Sequence, residues 1–336
     1  MNDHVTLSLD EARRLTEAAM TAAGALPEVA RSVAAALVAA EASGHAGHGL
    51  SRVPSYVAQC RAGKADGRAR PTLEQPAPAA LRVDAAHGFA YPAFDLLIPA
   101  LAELAGRTGI ALGAVRRSNH FGVAGAHCEA LAELGRVALI FGNAPAAMAP
   151  WGGARPALGT NPIAFAAPMP DGPPLVVDMA TSTVPRGKIL AARELGAPIP
   201  EGWALGPDGR PTTDPETALK GTVAPMAGPK GAALALMVEV LSACLGGGAL
   251  GVHASSLFDG EGPPPDLAQT LIAIDPELIA PGFAERMAAL AAALAGIEGA
   301  RLPGQRRLQA RARAQAEGLR VPRKLHERLR ALAAGD

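Results

Sequence analysis

Two histidine-bearing stretches carry most of the chemistry this chain could perform. The first is Ser118-Asn119-His120-Phe121-Gly122-Val123-Ala124-Gly125-Ala126-His127-Cys128-Glu129-Ala130-Leu131, where an apolar, strand-like run over residues 110–115 gives way to a polar turn. The turn leads into helical spacing (Val123, His127, Leu131, Leu134) that stops at Gly135. A helix start points unpaired N–H groups outward with partial positive charge, so it suits an anionic ligand. His120 in that turn can exchange protons near neutral pH. The same residues also read as a helix cap with a histidine beside it. The second stretch, Gly44-His45-Ala46-Gly47-His48-Gly49-Leu50-Ser51-Arg52, sets two histidines and an arginine among small residues. It reads either as an open loop that a ligand approaches closely or as a glycine-rich helix C-cap. His45 and His48 lack the acidic third ligand and general-base glutamate of a zinc hydrolase, so no metal is expected there.

Further along, Gly228-Pro229-Lys230-Gly231 places Lys230 at the start of an apolar helix, a second candidate site for phosphate or carboxylate. Gly246-Gly247-Gly248-Ala249-Leu250-Gly251 matches G-x-G-x-x-G literally. The dinucleotide fingerprint must follow a strand and open a helix, whereas this one trails a helix. A nicotinamide enzyme cannot be argued here through a Rossmann unit.

The elements that must position these residues follow from pattern and punctuation. Ser8-Leu9-Asp10-Glu11 is a capping box opening a helix that ends near Gly24, and Pro27 begins a second helix running to Gly44. Residues 61–80, rich in Pro, Gly and charge, read as a linker or domain crossing. Strands are expected over residues 81–84, 137–141, 163–168, 175–182 and 271–275, and helices over 93–106, 183–195, 231–245 and 281–296. Asp214-Pro215 starts a short helix, and Trp203 and Gly209 lie in surface turns. The apolar run 231–245 contains Glu239, is too short to span a bilayer and reads as a buried core helix. From Arg301 to Arg330 there are ten Lys and Arg against two acids, but the Leu spacing of residues 324–332 favours an amphipathic helix with a solvated basic face.

Composition narrows the function class. The 336 residues are 49% hydrophobic and 18% charged, with zero formal net charge, which excludes general disorder and gives no global argument for nucleic acid or membrane binding. Three cysteines (Cys60, Cys128, Cys244) without CxxC spacing fit a reducing cytoplasm, and the first 20 residues lack the pattern of a signal peptide. Small-molecule chemistry is the default expectation.

Seven segments in register resemble one family, the malate/L-lactate dehydrogenases unrelated to the Rossmann-type lactate dehydrogenases. They are His48-Gly49-Leu50-Ser51-Arg52, Ser118-Asn119-His120-Phe121-Gly122, Gly159-Thr160-Asn161-Pro162, Asp178-Met179-Ala180-Thr181-Ser182, Arg186-Gly187-Lys188, Lys230-Gly231 and Leu302-Pro303-Gly304. The family includes sulfolactate, ureidoglycolate and 2-hydroxyacid dehydrogenases and the reductases of piperideine-2-carboxylate and pyrroline-2-carboxylate. The resemblance implies an α+β, sulfolactate-dehydrogenase-like fold: a mostly antiparallel sheet in a cofactor domain (76–279) and a helical, substrate domain from both chain ends (1–75 and 280–336). It implies a nicotinamide cofactor and a homodimer; Arg186, Lys188 and the Arg306-Arg307 pair, candidates to bind a 2′-phosphate, favour NADP, with NAD as the alternative. Its activity would interconvert a 2-oxo and a 2-hydroxy acid, or reduce a cyclic ketimine.

Carried over by residue, the resemblance makes His120 the proton donor and His48 a second catalytic and substrate-binding residue, with Arg52 on the substrate carboxylate. The cofactor site would draw on His120, Phe121, Gly122, Val123, Ala124, Gly125, Thr160, Asp178, Ser182, Arg186, Lys188, Lys230, Gly231 and Arg306. The chemistry agrees. A histidine can give and take the proton that accompanies hydride transfer, and a guanidinium fixes a carboxylate through two parallel hydrogen bonds. Departures blur the substrate: Gly47 replaces a common serine, Lys188 stands where some ketimine reductases have aspartate, and Pro229 and Gln305 are atypical. The segment 254–265 is most similar to sulfolactate or general 2-hydroxyacid dehydrogenases. The competing reading from another class is a metal hydrolase using His45, His48, His120 and His127.

Overall fold

The computed structural model describes residues 3–336; Met1 and Asn2, at the head of the segment judged for a signal peptide, lie outside the described residues. The two chain ends fold together. Strand β1 (His4–Leu7) pairs antiparallel with β12 (Leu319–Pro322), in register from His4 opposite Pro322 to Leu7 opposite Leu319. Helix α1 (Leu9–Ala22) opens on the expected capping box: Ser8 accepts the Glu11 N–H, and the Glu11 carboxylate accepts from the Ser8 N–H at 2.8 Å. Helices α2 (Pro27–Ala42), α3 (Val53–Arg61), α11 (Gln305–Glu317) and α12 (Arg323–Ala334) complete this unit. Met20, Leu37, Leu50, Tyr56, Val321 and Leu329 fill its core. Helix α12 buries Leu329 and Leu332 and leaves Arg323, Lys324, Arg328 and Arg330 exposed, the amphipathic arrangement its Leu spacing predicts.

The main sheet has seven strands among the described residues, in the order β2-β3-β4-β11-β5-β6-β7. They are β2 (Thr72–Ala77), β3 (Ala80–Asp84), β4 (Ile110–Ser118), β5 (Val137–Gly142), β6 (Ile163–Ala167), β7 (Leu175–Met179) and β11 (Leu267–Ile274). Each adjacent pair is antiparallel except β3 and β4, whose parallel pairing requires a crossover. Helix α4 (Ala90–Thr108) makes that crossover and lies so close that a Cβ on Gly113 would come within 3.1 Å of Leu97. Helix α5 (Ala124–Glu133) packs on β5 and β6. This is the α+β architecture with a mostly antiparallel sheet that the resemblance implies.

A smaller lobe, with its own core of Met148, Leu158, Val184, Ile189, Ile199, Ala204 and Val223, was not foreseen. It contains α6 (Arg186–Glu194), α7 (Pro215–Lys220) and the short strands β8 (Ala204–Leu205), β9 (Pro211–Thr212) and β10 (Thr222–Val223). The sequence read only turns around Trp203 and Gly209, because two-residue strands carry no periodicity. Residues 61–80 are also more than a linker, since they contain β2, all of whose residues are exposed, and the buried Lys64. The run 231–245 is corrected too. It forms α8 (Pro229–Glu239) followed by a π-helical turn (Val240–Cys244), and Leu236, Met237, Val240 and Leu245 are exposed, so only one face is core. Helices α9 (Pro276–Ile279) and α10 (Phe283–Ala295) follow β11, and α10 buries none of its residues.

Candidate functional site

The loop between α2 and α3 is shaped by a half-buried acid. Glu41, near the end of α2, accepts the Leu50 N–H at 2.8 Å, and a Cβ on Gly49 would collide with the Glu41 side chain. Two short 3₁₀ turns (Ala46–His48 and Leu50–Arg52) result, and they present His48 and Arg52 side by side. Arg52 donates Nε–H to the Gly47 carbonyl at 2.7 Å and holds its guanidinium 4.5 Å above the Phe258 ring. Its Nη1 is buried and has no hydrogen-bond partner among the described residues. An orphaned, buried guanidinium nitrogen costs free energy unless an anion meets it, so this side chain fits a carboxylate.

From the other side, β4 ends at Ser118 and the chain turns through Asn119 to Gly122 before α5. Asn119 shapes the turn, accepting the His120 N–H at 2.6 Å and donating to Gln59 of α3 at 2.8 Å. Gly122 has φ +73°, and a Cβ there would sit 2.7 Å from the Tyr91 hydroxyl, so the close approach of Tyr91 depends on glycine. His120 stacks on His48 with ring centroids 5.1 Å apart, and its Nε2 lies 3.1 Å from His48 Nδ1. Its other nitrogen, Nδ1, lies 2.6 Å from the Tyr56 hydroxyl, which lies 3.0 Å from that of Tyr91. Both ring nitrogens of His120 are thus engaged inside the protein. His48 Nε2 makes no hydrogen bond among the described residues, and His48 is only half-buried. Burial, aided by Arg52 and His45, pulls His48 down to about 4; burial, with Arg52 and His48 adding to it, holds His120 well below the usual histidine range. Both rings are therefore neutral near pH 7.

The turn after His120 differs from expectation in one respect. The start of α5 does not present a free amide at Gly125, because the Asp178 carboxylate, at the end of β7, already accepts that N–H at 2.8 Å. Asp178 thereby caps the helix. Phe121 likewise points its ring into the core, where a Cβ on Gly142 would strike it, so only its backbone can face a ligand. Val123 is the N-cap residue of α5, and Ala124 is buried.

The remaining expected cofactor residues other than Arg306 of α11 gather elsewhere, where the small lobe meets the sheet. Thr181 donates N–H to the Thr160 carbonyl, Met226 donates N–H to the Thr181 carbonyl, and Ser182 bridges Pro225. Gly231 fits this corner because a Cβ there would lie 2.0 Å from the Met226 carbonyl oxygen. Lys230, in the first turn of α8, is exposed. Arg186 donates to the Leu219 carbonyl at 2.8 Å, and Lys188 sits 5.9 Å from the Trp203 ring centroid. Arg306 is exposed. Its neighbour Arg307 is buried, and with Arg311 it grips Glu129.

The four histidines of the metal reading do not converge. His127 stacks on Phe94 at 3.8 Å with Nε2 on the Phe121 carbonyl, while His45 lies near Asp178 and Arg307. Among the described residues, no three His, Cys, Asp or Glu side chains are grouped to hold a metal ion. Residues that the sequence did not single out include Glu41, Gln59, Tyr56 and Tyr91. The chain has only two tyrosines, and both stand behind His120. In so aromatic-poor a sequence, that scarcity was the available signal.

Comparison with known proteins identifies the family and the fold. A family profile described as malate/L-lactate dehydrogenase matches residues 7–330. The chain is 48% identical to a (2R)-3-sulfolactate dehydrogenase (NADP(+)) of Chromohalobacter salexigens, over 97% of this chain and 98% of the relative. It is 42% identical to a Δ1-pyrroline-2-carboxylate reductase of Ancylobacter novellus, over 99% and 98%. The crystal structure of Δ1-piperideine-2-carboxylate reductase from Pseudomonas syringae pathovar tomato superposes with TM-score 0.92 at 38% identity, covering 98% of this chain and 99% of that one.

Proposed function

Because this chain belongs to the malate/L-lactate dehydrogenase family, we propose that it is an NADPH-dependent oxidoreductase interconverting a small 2-oxo acid and its 2-hydroxy acid, of the sulfolactate type. The observation that carries the reading is the pairing of Arg52, with its unpartnered buried Nη1, and His48, with its unengaged Nε2, on one loop. A carboxylate on Arg52 fixes the neighbouring carbonyl, and a histidine beside it hydrogen-bonds the carbonyl oxygen and passes it a proton that solvent replaces on the ring, so the imidazole ends the step neutral. Of the two histidines the outward role goes to His48, with His120 behind it, since the nitrogens of His120 are both occupied by protein groups.

The bound nicotinamide supplies or accepts the hydride. The residues present fit such a dinucleotide: the basic Lys230, Lys188, Arg186 and Arg306 suit its phosphates, NADP above NAD, and the backbone from His120 to Gly125 with Thr160, Ser182 and Gly231 suits its uncharged parts. Asp178 contributes by holding Gly125. Similarity to pyrroline-2-carboxylate and piperideine-2-carboxylate reductases supports a second substrate class, cyclic 2-imino acids, which share the carboxylate beside the reducible carbon.

The two main cores support a division into a helical unit (1–75 and 280–336) and a cofactor unit (76–279), with Phe89 and Tyr91 crossing into the helical core. We also read the protein as a cytoplasmic homodimer. Three unpaired cysteines and the exposed apolar side of α8 support this, and no described helix is long and apolar enough to cross a membrane.

The decisive experiment offers the pure protein NADPH and NADH with pyruvate, oxaloacetate, sulfopyruvate, phenylpyruvate and piperideine-2-carboxylate. Oxidation of NADPH with at least one of these acids is expected. If neither cofactor changes fluorescence on binding and none is oxidised, the reading fails.

A further inference from the structure

The direction of the hydrogen-bond chain Tyr91–Tyr56–His120–His48 depends on its buried end. Tyr91 is 4% exposed, and among the described residues its hydroxyl has one hydrogen-bond partner, the Tyr56 oxygen at 3.0 Å. A buried hydroxyl leaves its hydrogen unsatisfied unless it donates, and the Tyr56 oxygen is the one described acceptor within reach of Tyr91, so the geometry points to donation from Tyr91 to Tyr56. The Tyr56 hydrogen must then go to its other neighbour, His120 Nδ1, at 2.6 Å. That nitrogen is bare, so neutral His120 carries its proton on Nε2 and donates it to His48 Nδ1 at 3.1 Å. His48 in turn carries its proton on Nε2, the nitrogen left without a protein partner.

We propose that Tyr56, oriented by Tyr91, is a positioning residue that sets the tautomers of His120 and His48, so that neutral His48 presents Nε2–H to the substrate's oxygen or imine nitrogen. The claim rests on the oxidoreductase reading above for its substrate, but not for its tautomers. Tyr56 is well suited, being fully buried and packed on Phe89 at 5.1 Å between centroids, so the hydroxyl is held in place by its own ring. Burial also raises both phenols, Tyr91 to about 12, which keeps them as O–H donors at any working pH.

The test is Tyr56→Phe, which keeps the ring and deletes the hydroxyl. In protein with ¹⁵N-labelled histidine and no added cofactor, NMR should find the His120 and His48 protons on Nε2 in the wild type, and a mixture of tautomers in Y56F. With the acid of the panel that turns over fastest, kcat of Y56F should fall about 10- to 100-fold while KM stays within about threefold. NADPH affinity should not change. A wild-type His120 protonated on Nδ1 would overturn the proposal; it would mean the chain runs the other way, with Tyr91 donating into the adjoining cavity of about 60 Å³. Unchanged tautomers or unchanged kcat in Y56F would overturn it equally. Should Y56F not fold, Tyr91→Phe removes the hydrogen that sets the direction and should also mix the tautomers. If the wild type reduces nothing in the panel, the functional reading falls, and the NMR result still decides the tautomers.

Discussion

Arg52 shows how one residue's surroundings define its task. Its Nε is held by the Gly47 carbonyl and its face by Phe258, so the guanidinium is oriented before any ligand arrives and Nη1 is left to donate to an anion. Arg52→Lys keeps a positive charge but loses the planar fork, and KM for the 2-oxo acid should rise about 10- to 100-fold with NADPH binding unchanged. Steady-state kinetics and a cofactor titration check this, and an unaltered KM would place the substrate carboxylate elsewhere. His127 has a different part. Burial pulls it down to about 4, and its ring is locked between Phe94 and the Phe121 carbonyl. Unfolded, it would titrate near 6.5, so the unfolded chain binds more protons between those values. The stability this group contributes is present in full above about pH 6.5 and is lost as pH falls toward 4, at most about 3 kcal/mol. Urea unfolding of wild type and His127→Phe across that window should show a shallower pH slope in the variant.

Among elements, the β4–α5 turn depends on a strand it does not pair with. Asp178 stands at the end of β7, yet it caps α5 through Gly125 and so steadies the turn that bears His120. Asp178→Ala should lower stability by about 1–2 kcal/mol, the usual cost of a lost helix cap. It should also lower kcat, because the turn would no longer be held; unfolding midpoints and turnover are the two readouts, and a loss of stability alone would confine Asp178 to folding. The α2–α3 loop has the matching device in Glu41, whose carboxylate replaces an absent backbone partner for Leu50. In both places an acid serves as a brace for backbone.

At the scale of the whole molecule, a buried acid adds an ionic link to the polar and aromatic contacts that join the helical unit to the sheet. Glu129 of α5 meets Arg307 and Arg311 of α11, and Arg311 also donates to Ser43 at the end of α2 at 2.8 Å. The guanidiniums hold the Glu129 carboxyl below its ordinary range even though burial acts against them. Glu129→Gln would leave buried arginine charge uncompensated, at a cost of about 3–5 kcal/mol. A drop of that size in urea stability is expected, together with weaker NADPH binding as the two units lose their fixed relation. A change under 1 kcal/mol would show that the junction does not depend on this acid.

Much of this was legible in the sequence by itself. Local rules determined it: the capping box at Ser8, the proline starts of α2 and α7, the apolar runs of β5 and β6, and the misplaced glycine fingerprint that argued against a Rossmann unit. The seven family segments also named His48, Arg52 and His120. What only the tertiary structure decided depends on groups far apart in the chain. His48 and His120 are 72 residues apart, and which of them keeps a free nitrogen is set by Tyr56 and Tyr91, whose roles no local pattern marks. Gly125 looked like an open amide because nothing near it in sequence could fill it, and Asp178, 53 residues on, does so. The run 231–245 looked uniformly buried because hydrophobicity reports what could be covered, while exposure of Leu236 and Leu245 depends on which neighbours the fold supplies. Backbone preference and hydrophobic period act within a few residues, so they fix elements; hydrogen-bond partners and burial are fixed only once distant elements meet.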